Sequence, residues 1–578
     1  MRKTSFLVCF GIFLPLAAAA QTSVPPTPYF GPASGTYTHN LQVEIYHAYY
    51  AEVIYTTNGT TPSQTNGTEY EGAIPVTTKT TIKAIAININ APAQYQNSGV
   101  ANASYVVNLP SESPLPQGEW AWEDGPGGTG GGCPYTAGWI GNYGTLGDPS
   151  PNNVPGAREP AAQWTDESGN LWIFGGMTTF ANFECAYVND LWMFNASTKE
   201  WTWMSGSNSY PTYPSGTGFE AGVYGTLGQF AASNTPGSRI SSAHWTDLSG
   251  HLWLFGGFGY GSAGTQGYLN DLWEFNPSTR QWAWMGGSKL ANQNGSYGTL
   301  RVANAGNTPG ARFAPVAWAD RDGNFWLFGG AAYNAGSPGD TNDLWKFNTS
   351  TKEWAWMAGS NHVDQNGIYG AHDVPSATNI PGARDNAMAW VDAEGKFWLF
   401  GGSGYGAYGY FWLNDLWEFD PSDLDWTWAT GSAYGGTVIN PDGPSGQGGL
   451  YDKLRVPDPG NTPGGRINAS TWTDAQGNLW MFGGRGYGSA FGEGALNDLW
   501  EFDRSKWLWA WMGGSEVVPN PGNIIYGPYR EASSQTQPGP RYGAASWTDK
   551  NGNLWIFGGF STGQDYGLLN DVFEYQLP

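Results

Sequence analysis

REPAAQWTDESGNLWIFGG, residues 158–176, followed by NDLWMFN, residues 189–195, is a phrase that this 578-residue chain repeats. It opens again at Arg239, Arg312, Arg384, Arg466 and Arg541, and every copy holds a Trp-x-Asp, a Gly-containing turn, an apolar run closed by Gly-Gly, and an Asn-Asp. The Asp of each turn accepts backbone N–H bonds and the Gly supplies positive φ, so the turn joins two strands tightly. Leu171-Trp172-Ile173-Phe174 therefore reads as a second strand, Leu191-Trp192-Met193-Phe194 as a third and Trp201-Thr202-Trp203 as a fourth. The last pattern returns at Trp282, Trp354, Trp426 and Trp509. Four strands per copy and six copies predict an all-β, six-bladed β-propeller. A residue present in every copy is scaffold, and function is to be sought where the copies differ.

The final copy reaches Phe573-Glu574-Tyr575 without a fourth strand, whereas Trp120-Ala121-Trp122 stands ahead of the first Arg. Residues 120–122 are expected to complete the last blade and so tie the two ends of the ring together.

Over residues 118–578 the chain resembles the kelch-repeat family of propellers, to which the central domain of galactose oxidase also belongs. The likeness rests on the Gly pairs, the third-strand aromatic (Trp192, Trp273, Trp345, Trp417, Trp500, Phe573) and the fourth-strand Trp. Two features depart from it. Trp or Phe replaces the usual third-strand Tyr, and the copies are long: Asp343 to Asp415 is 72 residues and Asp415 to Asp498 is 83, against about 50 in ordinary kelch repeats.

Residues 26–107 form a different segment. Asn58-Gly59 supplies a turn between β-branched runs such as Thr80-Thr81-Ile82-Lys83-Ala84-Ile85, which predicts a small sandwich. The segment resembles the chitobiase/β-hexosaminidase C-terminal domain family, which implies an immunoglobulin-like module and brings no catalytic residues. Residues 108–117, with Pro110, Pro114 and Pro116, read as a linker.

Composition agrees with this plan, since only 13% of residues are charged while Gly numbers 85 and Trp 32. Met1-Arg2-Lys3, an apolar run and Ala18-Ala19-Ala20 give residues 1–20 the parts of a secretory signal, so the protein is expected to be secreted or on the cell surface. Loss of that segment removes Arg2 and Lys3 and no acid, taking the formal charge from −23 to −25. Nucleic acid is excluded as a partner on that charge, and no later stretch is apolar enough for a membrane span. Cys133 and Cys185, the cysteines left after export, are expected to form one disulfide.

In a four-stranded blade the connections between strands two and three, and those between blades, emerge on one face, and here they are the long ones. Tyr143-Gly144-Thr145-Leu146 recurs at Tyr224 and Tyr297 and so reads as packing. All but three of the Trp residues occupy framework positions, where each is expected to be buried with its N–H bonded locally. The exceptions are Trp139, Trp412 and Trp507; Trp507 lies in a turn on the opposite side. Trp139 and the run Tyr408, Tyr410, Phe411 and Trp412 are the expected ligand-binding residues, for a glycan or a protein ligand, with loop packing as the competing role. The repeated Arg and Asp residues read as mutually neutralised pairs, not as an anion-binding ring.

The galactose oxidase resemblance implies a copper site with two His and two Tyr, one Tyr cross-linked to a Cys. His244, His251, His362 and His372 do not supply such a pair: His251 sits in a hairpin turn, His244 beside a framework Trp, and the other two in one loop. No local nucleophile motif is present, and Asp320-Arg321-Asp322-Gly323-Asn324 lacks the closing acid of a calcium loop. The expected function is a non-catalytic recognition or surface-structural role with no cofactor, no metal and no catalytic residue. The alternative is a carbohydrate-active copper oxidase.

Overall fold

The computed structural model describes residues 24–31, 33–37, 41–47, 51–70, 74–76, 78–88, 97–107, 118–125, 130–131, 141–179, 185–208, 219–334, 336–434, 445–489, 492–519, 524–562 and 567–577. Among the described residues the chain is all-β, without a helix. It divides into two compact units, Met1–Ser111 and Glu112–Pro578. In the first, a three-stranded sheet (Tyr29–Gly31, Leu41–Tyr46, Ile74–Val76) and a five-stranded sheet containing Ala51–Thr56, Thr80–Asn88 and Ala101–Val107 share one core. Val43, Ile45 and Val76 of one sheet and Val53, Ile82 and Tyr105 of the other are buried in it.

Among the described residues of the second unit, six four-stranded antiparallel arrangements follow one plan. In the first, Ala162–Thr165, Leu171–Phe174, Leu191–Asn195 and Glu200–Ser205 pair in that order. In the last, the outer place beside Gly567–Gln576 is taken by Glu119–Asp124, with Phe573 opposite Trp122 and Tyr575 opposite Trp120. The inner strands Ala162–Thr165, Ala243–Thr246, Val316–Ala319, Met388–Val391, Ser470–Thr473 and Ala545–Thr548 adjoin in succession, and the last adjoins the first. A backbone belt runs round this cycle. The amides of Ser241, Ala314, Asn386, Asn468 and Gly543 each donate to the carbonyl of the equivalent residue one copy earlier, at 3.5, 2.9, 3.1, 3.2 and 2.9 Å. Its one missing bond is at Pro160, which has no N–H to give.

In the second, fourth and sixth copies the Gly pair does not end its strand, whereas in the first, third and fifth the strand stops before the pair and a new one starts after it. Both residues adopt positive φ (71° at Gly175, 98° at Gly176), so the chain bulges and runs on. In the second copy one strand spans Leu252–Tyr260, with a register shift between Phe255 and Gly257. Beyond each bulge lies an upper tier in which the Arg and its successor pair with the continued strand, as in Arg158–Glu159 against Met177–Thr179.

The long stretches before each Arg are also more ordered than loops. In the first copy Gly147 and Ser150 donate to the carbonyls of Trp203 and Trp201, and Asn153 Nδ2 adds a bond to Trp201 O at 3.1 Å. Equivalent bonds cap Trp282, Trp354 and Trp426. Each stretch covers the exposed edge of an outer strand, which would otherwise present unpaired backbone. This accounts for the length of the repeats.

Most framework indoles are buried as expected, Trp122, Trp284, Trp356 and Trp511 only partly, and not all are hydrogen-bonded. Trp192 and Trp172 donate to Asp190 and Asp166 at 2.7 and 2.9 Å, whereas the buried N–H groups of Trp201, Trp282, Trp426, Trp509, Trp547 and Trp555 have no such partner. Trp201 and Trp192 meet in a T-shaped arrangement, at 88° and 6.4 Å between centroids.

Candidate functional site

The repeated charges are structural. Arg158 makes a bidentate pair with Asp190 at 2.7 and 2.8 Å and also donates to the carbonyls of Gly156 and Gly175. Asp190 Oδ2 further accepts from Tyr143 and Trp192, both at 2.7 Å. Burial works against the Asp190 charge, but Arg158 and these donors hold its pKa below the usual carboxylate value. The same pairing recurs at Arg239–Asp271, Arg312–Asp343, Arg384–Asp415, Arg466–Asp498 and Arg541–Asp571. With every guanidinium committed to its own carboxylate, the six do not form an anion-binding ring.

Variation starts one residue later. The positions after the Arg are Glu159, Ile240, Phe313, Asp385, Ile467 and Tyr542, and each heads a row across the upper tier. The third row runs Phe313–Ala331–Asp340 and the fourth Asp385–Ser403–Trp412. These two rows bring carboxylates together. Asp340 is 7% exposed; Asp385 is partly buried and receives Asn386 Nδ2 at 3.1 Å. Burial, then the charges of Asp385 and Asp364, push Asp340 up to about 8, while Tyr410 offsets part of the rise. Burial raises Asp385 to about 6. No Lys or Arg is among the charges acting on either group.

Tyrosines lie near these acids. The Tyr410 hydroxyl lies 2.8 Å from Ser403 Oγ, and its ring meets Tyr405 edge-on at 5.3 Å. On the other side Tyr268 stacks on Phe313 at 6.1 Å and 10°, and meets Tyr333 at 6.1 Å. Tyr268, Tyr405 and Tyr410 all have pKa values raised by burial and then by the nearby carboxylates. Elsewhere in the tier Glu159, 7% exposed, lies over Gly543, where an added Cβ would meet its Oε2 at 2.9 Å. Burial lifts Glu159 to about 8 although Arg485 draws it down.

The sequence-predicted residues divide. Tyr408 is 69% exposed and Tyr410 41%, and Phe411 is partly buried. Tyr408 lies parallel to Tyr434, itself 41% exposed, at 5.7 Å and 8°. Trp412 is 5% exposed: Tyr487 packs on it at 5.7 Å and the Arg485 guanidinium lies 5.6 Å from its ring. Its ring is covered by these two side chains. Trp139 and Cys133 lie outside the described residues, and Cys185 opens the strand Cys185–Tyr187. Asp340, Asp385 and Tyr434 were not singled out by the sequence. The change of residue after each repeated Arg was the signal that could have found Asp385.

The histidines lie apart. Burial lowers His244 and His372 to about 4, the latter with its ring 3.7 Å from that of Trp428. His251 Nδ1 lies 2.5 Å from Glu274 Oε1. Asp247, His251 and Glu274 are the one group among the described residues with three potential metal-ligand atoms within 4.8 Å of one another. Asn478 and Asn553, at the same place in later copies, bond Glu501 and Glu574 in the same way, so the trio is a hairpin brace. One histidine among carboxylates does not fit the two-His, two-Tyr donor set of a copper oxidase.

Residues 32–94 match the chitobiase/beta-hexosaminidase C-terminal domain family. No curated protein matches the chain. Among solved structures, that of YjhT aligns at 14% identity over 72% of this chain and 95% of the other, with a TM-score of 0.41. A fungal alcohol oxidase of the AA5 family in complex with copper aligns at 12% identity over 76% and 77%, with a TM-score of 0.38. Both scores are too low to bear on fold or activity.

Proposed function

We propose that this chain is an exported recognition protein: a six-bladed kelch-type propeller, preceded by an immunoglobulin-like sandwich over residues 26–107, that binds a glycan on the long-loop face. The cycle of inner strands and its backbone belt support the propeller, and the pairing of Glu119–Asp124 with the last copy supports closure by residues 120–122. The observation that carries the functional reading is the exposed parallel pair Tyr408 and Tyr434: Tyr408 lies at the tip of the hairpin that also brings Tyr410 near the carboxylates of Asp340 and Asp385, and Tyr434 lies in the connection that follows Asp425–Thr430. Exposed aromatic faces stack on the C–H faces of sugar rings, and nearby carboxylates accept bonds from their hydroxyls. The chitobiase-type domain is in keeping with a carbohydrate context. A glycan array probed with the exported chain, with the Tyr408→Ala/Tyr434→Ala variant alongside, tests the reading: hits lost in the variant support it, and hits that survive place recognition elsewhere.

A further inference from the structure

We propose that a cleft between the first and second copies binds a free α-amino acid, with its carboxylate on Arg280, its ammonium on Glu200 and its side chain on Met193 and Met204. The site is separate from the glycan face of Tyr408 and Tyr434, which belong to the fourth copy.

The cleft follows from three departures from the repeat. Glu200, Thr202 and Met204 alternate along the outer strand Glu200–Ser205 of the first copy and so share one face. Met193, opposite Thr202 in the neighbouring strand, joins them. The equivalents of Met193 are the charged Glu274, Lys346, Glu418, Glu501 and Glu574, and opposite these stand Ala283, Ala355, Thr427, Ala510 and Ala121. Thr202 thus places a hydroxyl where four copies have alanine. Arg280 closes the cleft from the second copy. It holds the left-handed position of its turn, at φ 56°, as Lys199, Lys352, Leu424 and Trp507 do in theirs. Lys199, Lys352 and Trp507 fold back onto Trp555, Trp253 and Trp398 of the preceding copy, at 3.8, 4.4 and 5.5 Å. Arg280 instead reaches over Gly147, whose missing side chain leaves space for the guanidinium, and its Nη2 donates to Gly147 O at 3.4 Å. Arg301, Arg455 and Arg530 hold the place of Gly147 in three other copies.

Three observations point to a ligand. Thr202, which lines the cleft, is 3% exposed, and its Oγ1 has no hydrogen-bond partner. A buried hydroxyl costs free energy until it is bonded, and the alanines of the other copies show that the fold does not need one there. Arg280 has no carboxylate partner among the described residues, and its one bond to Gly147 O leaves most of its N–H donors free. Glu200, partly buried in the same cleft, is likewise without an ion-pair partner. A guanidinium and a carboxylate that line one cleft without meeting suit the two ends of a zwitterion. Met193 and Met204 add an adaptable apolar wall.

Size narrows the choice. The cleft holds about 260 Å³, less than the pockets of drug-sized ligands, which start at about 300 Å³. A single amino acid fits such a space, whereas an oligosaccharide does not.

The test is calorimetric titration of the full exported chain with each of the twenty free L-amino acids, followed by the methyl ester and the N-acetyl form of any that binds. At least one free amino acid is expected to bind saturably, with each blocked form roughly tenfold weaker. Arg280→Leu, the residue that Leu424 supplies at the same backbone conformation, should leave the melting temperature unchanged and weaken binding roughly tenfold. Thr202→Ala, as in four other copies, should keep the fold and weaken binding severalfold. Glu200→Gln should abolish the preference for the free amine over its N-acetyl form. Absence of saturable binding by all twenty overturns the site and leaves the glycan reading in place. Binding that is unchanged in both Arg280→Leu and Thr202→Ala lies elsewhere and overturns it equally. Equal binding of the N-acetyl form by the wild-type chain overturns the amino-acid assignment in favour of a plain carboxylate.

Discussion

Removing Glu119–Asp124 should damage the last copy far more than removing everything before it. In place, the strand makes five register pairs with Gly567–Gln576, from Val572 opposite Asp124 to Gln576 opposite Glu119. Trp120 is 8% exposed, and its ring packs on Phe482, Phe573 and Tyr575 at 5.2, 6.4 and 5.0 Å. Losing a buried Trp side chain costs about 3–5 kcal/mol. Trp122, partly buried against Tyr526 and Tyr529, adds roughly half as much. The sum is ~5–7 kcal/mol before the newly exposed strand edge is counted. Chains beginning at Leu115 and at Gly125 should be compared by thermal unfolding followed by tryptophan fluorescence. The shorter one is expected to melt roughly 10 °C lower or to lose its last copy in a separate transition. Coincident melting of the two would refute closure by this strand.

Three further outcomes follow from the same geometry. Asp343→Asn, which leaves Arg312 charged and buried and weakens the bonds from Tyr297 and Trp345, should cost about 3–5 kcal/mol, read by denaturant unfolding; a cost below about 1 kcal/mol would show that the pair is not needed. Asp340, whose folded pKa of about 8 lies above its unfolded value, binds a proton in the folded state that it sheds on unfolding, so its contribution to stability declines as pH rises from about 4 to 8; Asp340→Asn should raise the melting temperature more at pH 8 than at pH 5, and an equal effect at both would contradict this. Cys133 and Cys185, proposed as a disulfide, should give no reactive thiol in the exported, unfolded, unreduced chain, whereas two titratable thiols would remove the bond.

The repeat made the strand pattern legible because each element carries its own local chemistry. Asp166, for instance, accepts the amides of Ser168 and Asn170 at 2.8 and 3.0 Å, as an Asp-to-Gly turn requires. The neutralised Arg and Asp residues could be read from recurrence alone, since a buried charge repeated six times needs a partner repeated six times. Other features have no local signature. That Gly256-Gly257 is a bulge and not a strand end depends on the pairing of Arg239 and Ile240 beyond it. The edge caps depend on single bridges such as Ser150 with Trp201, which no periodicity announces. Trp412 breaks the repeat as a binding residue would, yet it is buried by Tyr487 and Arg485 from the next copy. The meeting of Asp340 with Asp385 is likewise an encounter between copies, and a sequence pattern defined within one copy does not contain it.

Titration of the strongest glycan-array hit into the wild-type chain and into Tyr408→Ala/Tyr434→Ala tests recognition on this face most directly. Loss of two stacked rings should weaken binding by ~1–3 kcal/mol, roughly 5- to 150-fold, with the melting temperature unchanged because both rings are exposed in connections outside the strands. Unchanged affinity in the variant, or an array with no hit at all, would contradict the account.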